Sequence, residues 1–172
     1  MRVQARGFTL VEVLVALFVL AIGIVGAGAT QLTAERTRRQ SALVSEAAQV
    51  AASLAARMQV NPAIARLPDG ANPYLAFAYD ASSGPPAAAV RCFGALACTP
   101  AELAEFDLNE IRQAMHAHFP RGRIEVCRDG SPWDSASRRF RWNCDGNPEA
   151  LPVVKLGWQG TGDSPAYVAV LR

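Results

Sequence analysis

The chain has 172 residues, is 51% apolar and carries a formal net charge of +2, which leaves room for one domain and a modest core once a membrane segment is subtracted. The two excess charges are Arg2 and Arg6, ahead of a long apolar run; the other 15 basic residues balance 15 acidic ones. That balance argues against a nucleic-acid partner, and Arg38 with Arg39 is too short a run to form a basic patch.

The first element is the stretch FTLVEVLVALFVLAIGIVGAGAT, residues 8–30, whose only charge is Glu12. As a helix it would be about 35 Å long, enough to cross a hydrocarbon core of roughly 30 Å. Arg2 and Arg6 before it leave the N-terminus on the cytoplasmic side and send the rest of the chain outward. An ionised carboxylate in a bilayer costs about 2.5–3.5 kcal/mol even on lenient scales, so Glu12 demands a partner.

The helical pattern continues beyond residue 30. Leu43, Ala47, Val50, Leu54 and Met58 form one stripe and Ser45, Gln49, Ser53 and Arg57 a second, with no proline before Pro62. The expectation is a single helix of about fifty residues, roughly 80 Å, apolar all round in its first half and amphipathic over residues 31–60. Gly23, Gly26 and Gly28 lie near its middle, either as ordinary membrane-helix glycines or as a place where the rod can bend or melt.

Residues 62–90, rich in Pro, Ala, Gly and Ser, read as loop. TPAELAEFDLNEIRQAMHAHFP then predicts a shorter helix with Thr99 as N-cap, Pro100 in the first position, Glu102 closing a capping box, and Leu103, Phe106, Ile111 and Met115 as the core face. Four strand candidates follow, Arg123 to Cys127, Phe140 to Cys144, Pro152 to Trp158 and Ala166 to Leu171, joined by RDGSP, DGNPEA and QGTGDSP. Short connections predict an antiparallel meander, and with the helices an α+β architecture for residues 61–172.

Cys92, Cys98, Cys127 and Cys144 lack the paired C-x-x-C spacing of a structural zinc site. An even count behind an envelope-targeting segment favours disulfides; three connectivities exist, and the sequence-local pairing of Cys92 with Cys98 and Cys127 with Cys144 is preferred. His116 and His118, two apart on a helix, point to different faces and make a poor metal pair. No phosphate loop, G-x-G-x-x-G, G-x-S-x-G or H-E-x-x-H is present, so neither an enzyme nor a cofactor is expected. Trp133, Trp142 and Trp158 read as core and rim packing.

The residues Gly7, Phe8, Thr9, Leu10, Val11 and Glu12, after a short basic leader and before an apolar run, resemble the class III signal sequence of type IV prepilins and pseudopilins. LAARMQVNP, CTPAELAEFDLNEIRQAM and VCRDG are similar to blocks of the minor pilin family known as type IV pilus modification protein PilV. This resemblance implies a leader over residues 1–7 that a prepilin peptidase cuts after Gly7, with N-methylation of Phe8. It implies a retained anchor over residues 8–30 and a periplasmic domain. It implies an inner-membrane subunit that is later extracted into a pilus, with other minor pilins, the major pilin and the assembly machinery as partners. Glu12 would then pair with the Phe8 amine of a neighbouring subunit.

Two features depart from the major-pilin pattern. The apolar helix lacks a mid-helix proline, and Cys144 is followed by two strand candidates. Both fit a minor subunit. Three other readings compete: a minor pseudopilin of a type II secretion system, a soluble binding protein cut by a conventional peptidase after Ala29 in the small-residue sequence AGA, and a membrane-anchored enzyme.

Overall fold

The computed structural model describes residues 7, 9–88, 92–93 and 97–171. The chain divides into two compact units, one ending at Ala42 and the other starting at Leu43.

The first unit is helical. Helix α1, Leu10–Val60, begins there and runs without interruption past Gly23, Gly26 and Gly28, where an added Cβ would meet open space. An 18-residue window of this helix has mean hydropathy 2.7 and is wholly uncovered. Leu14, Leu17, Phe18, Ile22 and Ile24 are all more than half exposed. Such a surface is too apolar to face water, and by length and composition it can cross a membrane.

In the second unit the remaining part of α1 turns Ala47, Val50, Ala51 and Leu54 into a core, with Leu43 and Met58 packed at its margin. Against them lie helix α3, Pro100–His118, and a four-stranded sheet formed by β1 (Ala78–Asp80), β2 (Arg123–Arg128), β5 (Pro152–Gly157) and β6 (Tyr167–Val170). The strand order is β1-β2-β5-β6 and every neighbouring pair is antiparallel. The architecture is the predicted α+β, a long N-terminal helix on a small antiparallel sheet with one further helix of substance.

Helix α3 starts where its sequence dictates. The Thr99 hydroxyl accepts from the Glu102 N–H while the Glu102 carboxylate accepts from the Thr99 N–H at 2.8 Å, and Pro100 fills the first turn where no donor is needed. Its buried face differs from the expected one. Ala104, Asp107, Leu108, Ile111 and Met115 are buried, whereas Leu103 and Phe106 are only half covered, because the face rotates to bring Asp107 onto α1.

Two further expectations change. Residues 62–90 are not plain loop: they contain the short helix α2 (Pro62–Ala65), two single 3₁₀ turns and edge strand β1. Residues 140–144 do not form a strand of the main sheet. Only Arg139–Phe140 (β4) is extended, paired with Trp133–Asp134 (β3) in a separate two-stranded ribbon. Beyond Arg141, whose N–H still donates to the Pro132 carbonyl at 2.9 Å, the chain is held by Lys155, whose ammonium takes the carbonyls of Trp142 at 3.1 Å and Asn143 at 3.0 Å. The tryptophans pack as expected in core and rim: Trp158 is core, Trp142 half buried, and Trp133, 50% exposed, rests edge-on against Phe140 with ring centroids 5.1 Å apart.

The excursion from Asp129 to Leu151 covers the second face of β5. Val154 and Leu156 point into the core, and Lys155 and Gly157 point the other way, under Trp142. A Cβ on Gly157 would lie 2.8 Å from Trp142 Cζ2, so only glycine lets the indole sit this close. Arg123 closes the stack, its guanidinium 4.1 Å from the Trp142 ring centroid.

Candidate functional site

Thr9 precedes the first residue of α1 and Glu12 lies in its first turn. Thr9 donates from its N–H (2.8 Å) and from its hydroxyl (2.9 Å) to Glu12 Oε2, and the Glu12 N–H donates to the Thr9 hydroxyl at 3.3 Å. This is a capping box, and its carboxylate satisfies donors that the helix start leaves open. Around it Val13, Ala16, Leu17 and Leu20 form an open apolar concavity with Glu12 at its rim. A carboxylate on an otherwise uncovered apolar surface, oriented at a helix N-terminus, is an acceptor suited to a cationic group arriving from outside the subunit.

Gly7 is exposed, and a Cβ added there meets nothing within 4 Å. Phe8, expected to carry both the cleavage and the methylated amine, lies outside the described residues, as does the leader over residues 1–6. The structure brings Glu12 to Thr9, a partner that the charge argument alone passes over. The T-x-x-E spacing of Thr9 and Glu12, the same as that of Thr99 and Glu102, is the signal that could have found it.

Residues 2–28 match the prokaryotic N-terminal methylation motif. The methylation motif is that of prepilin-type leaders, the mark of the type IV pilin and pseudopilin class, whose members are structural subunits processed by prepilin peptidase. The long apolar helix behind the motif fits membrane anchoring. No curated protein and no solved structure matches the chain at a significant level.

The other singled-out residues lie in the second unit. Cys92 is joined to Cys98 and Cys127 to Cys144, with Cα atoms 5.7 Å and 6.3 Å apart. The first bridge closes the segment leading into α3, where Phe93 packs edge-on against Phe106. The second fastens the excursion to β2. The two histidines serve separate contacts: His116 Nδ1 is 2.9 Å from the Tyr79 hydroxyl, and His118 Nδ1 meets Glu46 on α1. Among the described residues no group of His, Cys, Asp and Glu side chains is arranged to hold a metal ion.

Between α1 and α3 lies a polar cluster that the sequence patterns did not reveal. Arg57 donates to Asp107 Oδ1 (2.6 Å), Tyr74 donates its hydroxyl to Asp107 Oδ2 (3.0 Å), and Asn61 donates to the Tyr74 oxygen (3.3 Å) and to the Pro100 carbonyl (2.7 Å). Burial pushes the Tyr74 phenol up to about 12, and the neighbouring Asp107 carboxylate acts in the same direction. The cluster is structural: it fastens the helices that form the core.

Proposed function

We propose that the chain is a minor subunit of a type IV pilus of the PilV kind, working by assembly and not by catalysis. Prepilin peptidase removes residues 1–7 after Gly7 and methylates the new amine of Phe8. Residues 8–30 hold the mature subunit in the inner membrane, residues 31–60 carry the helix into the periplasm, and residues 61–172 complete the periplasmic domain. Extraction into the fibre follows, alongside other minor pilins and the major pilin.

The observation that carries this reading is the methylation motif over residues 2–28 together with Glu12 at the head of an uncovered apolar helix. In the isolated subunit the Glu12 carboxylate is held by Thr9. After cleavage the Phe8 amine stands one residue from Thr9, so each subunit displays an amine and a carboxylate in one apolar layer. Leaving either without a counter-charge there is far costlier than pairing them, and stacking lets the carboxylate of one subunit take the amine of the next. Glu12 therefore specifies docking and register.

The decisive measurement is the intact mass and N-terminal sequence of the protein from its native envelope. A chain beginning at methylated Phe8 is expected; one beginning at Thr30 would mean that the apolar run is a discarded signal. Glu12→Ala should leave insertion and cleavage intact while lowering the amount recovered in sheared pili, and undiminished recovery would sink the docking role. A bulky residue in place of Gly7 should block processing. Loss of type II secretion without any change in pili would assign the subunit to a secretion pseudopilus instead, since the methylation motif is common to both systems.

A further inference from the structure

Three arginines stand just beyond the apolar run, Arg36, Arg38 and Arg39 in the sequence AERTRRQ. They follow Thr30 by about six to nine residues, or roughly 9–14 Å of helix. Beyond a hydrocarbon core of roughly 30 Å, a bilayer adds about 5–8 Å of headgroup at each face. Helical side chains lean toward the helix N-terminus, here back toward the apolar run, and arginine is long enough to return its guanidinium to the phosphate layer.

Their arrangement narrows the choice of partner. At about 100° per residue Arg36 and Arg38 point about 160° apart around α1, with Arg39 between them, and all three are exposed. Arg36 and Arg38 thus lie on nearly opposite sides of the helix, whereas docking against one protein surface requires a single face. Arg39 is partly neutralised by Glu35, Nε to Oε1 2.9 Å, while Arg36 and Arg38 have no acidic partner among the described residues. The hydroxyls of Thr30, Thr33 and Thr37 are committed to the carbonyls of Ala27, Ala29 and Thr33, leaving the guanidiniums as the charged donors of this stretch. Cations on the flank opposite Arg2 and Arg6 also work against the orientation those two impose, so topology does not account for them.

We infer that Arg36 and Arg38 bind the phosphate groups of anionic phospholipids in the leaflet opposite the leader, fixing the depth at which the subunit waits before assembly. This inference rests on the membrane-anchored reading proposed above. The test uses the full chain, reconstituted in vesicles of equal phosphatidylglycerol and phosphatidylcholine and released in mild detergent, with the retained lipids identified by native mass spectrometry. The wild type should retain phosphatidylglycerol in preference, and Arg36→Gln with Arg38→Gln should lower that preference roughly fivefold for each arginine. Glu35→Gln, which frees Arg39, should raise it. Equal retention of the two lipids by the wild type, or an unchanged ratio in the double variant, would overturn the inference. So would a double variant that keeps its lipid ratio and instead loses self-association, which would assign the two arginines to protein contacts. Whether the chain resists alkaline carbonate extraction is read separately, and its release would overturn the anchored reading itself.

Discussion

Arg57 and Asp107 are 50 residues apart in the chain and meet with 2.6 Å between Nη1 and Oδ1, joining the C-terminal end of α1 to the middle of α3. Asp107 is 8% exposed in its side chain and also accepts the Tyr74 hydroxyl. Asp107→Ala would take the acceptor from the buried Tyr74 hydroxyl and the closest carboxylate from the half-buried Arg57, which keeps only Glu110 at 3.8 Å. We expect a loss of about 2–4 kcal/mol, measured by chemical denaturation of the full chain in detergent, and a smaller loss for Asp107→Asn, which keeps an acceptor for Tyr74.

The same cluster predicts an alkaline limit to stability. The Tyr74 phenol has a pKa of about 12 in the folded chain against 10.0 for the free group. An acid whose pKa is raised by folding contributes its full stability below the unfolded value and loses that contribution as pH rises through the folded one. Stability should therefore fall between pH 10 and pH 12. Tyr74→Phe, having no proton to lose, should show a shallower decline in melting temperature over that interval, and parallel profiles would exclude Tyr74 as the cause.

Lys155 is buried within β5 with no exposed side-chain surface, and its ammonium is fully used by Asp129 Oδ2 at 2.5 Å and the carbonyls of Trp142 and Asn143. Lys155→Met would leave the Asp129 carboxylate buried without a counter-charge, at a cost of about 3–5 kcal/mol. Adding Asp129→Asn should recover much of the loss, and a double-mutant cycle on unfolding free energies measures the coupling.

Gly157→Ala places a methyl 2.8 Å from Trp142 Cζ2 and should cost about 1–3 kcal/mol through displacement of the indole. Near-ultraviolet circular dichroism should report the changed Trp142 environment. In a Trp142→Leu background the same substitution should cost less, since the ring it collides with is gone.

Much of this architecture is legible from residue order alone, and the failures have identifiable causes. The apolar run, the stripe from Leu43 to Met58 and the capping box at Thr99 rest on local patterns that survive folding unchanged. Strands β2 and β5 carry enough Val and Ile to declare themselves. Edge strand β1 does not, because three residues hold no alternation to read. The stretch ending at Cys144 has strand composition, but Lys155 and the bond to Cys127 claim it from a distance, and no local pattern encodes a lysine reaching across from another strand. Asp107 likewise looks like a solvent-facing position until Arg57 and Tyr74 are placed beside it. At the candidate site Gly7 and Glu12 stand out by motif and by charge, whereas the bond of Thr9 to Glu12 is written only in the T-x-x-E spacing of an ordinary helix cap.

The bond between Cys127 and Cys144 also bears on how the sheet is reached. Strands β2 and β5 pair over six residues, from Arg123 with Gly157 to Arg128 with Pro152. In a reduced chain the end of that ladder closes a loop of about 24 residues; once the cysteines are joined, the path across the bridge is about 8, and the closure entropy falls by roughly 1 kcal/mol. Oxidation thus shortens the search for the central strand pair, and registration of the sheet becomes tied to a compartment that can make the bond.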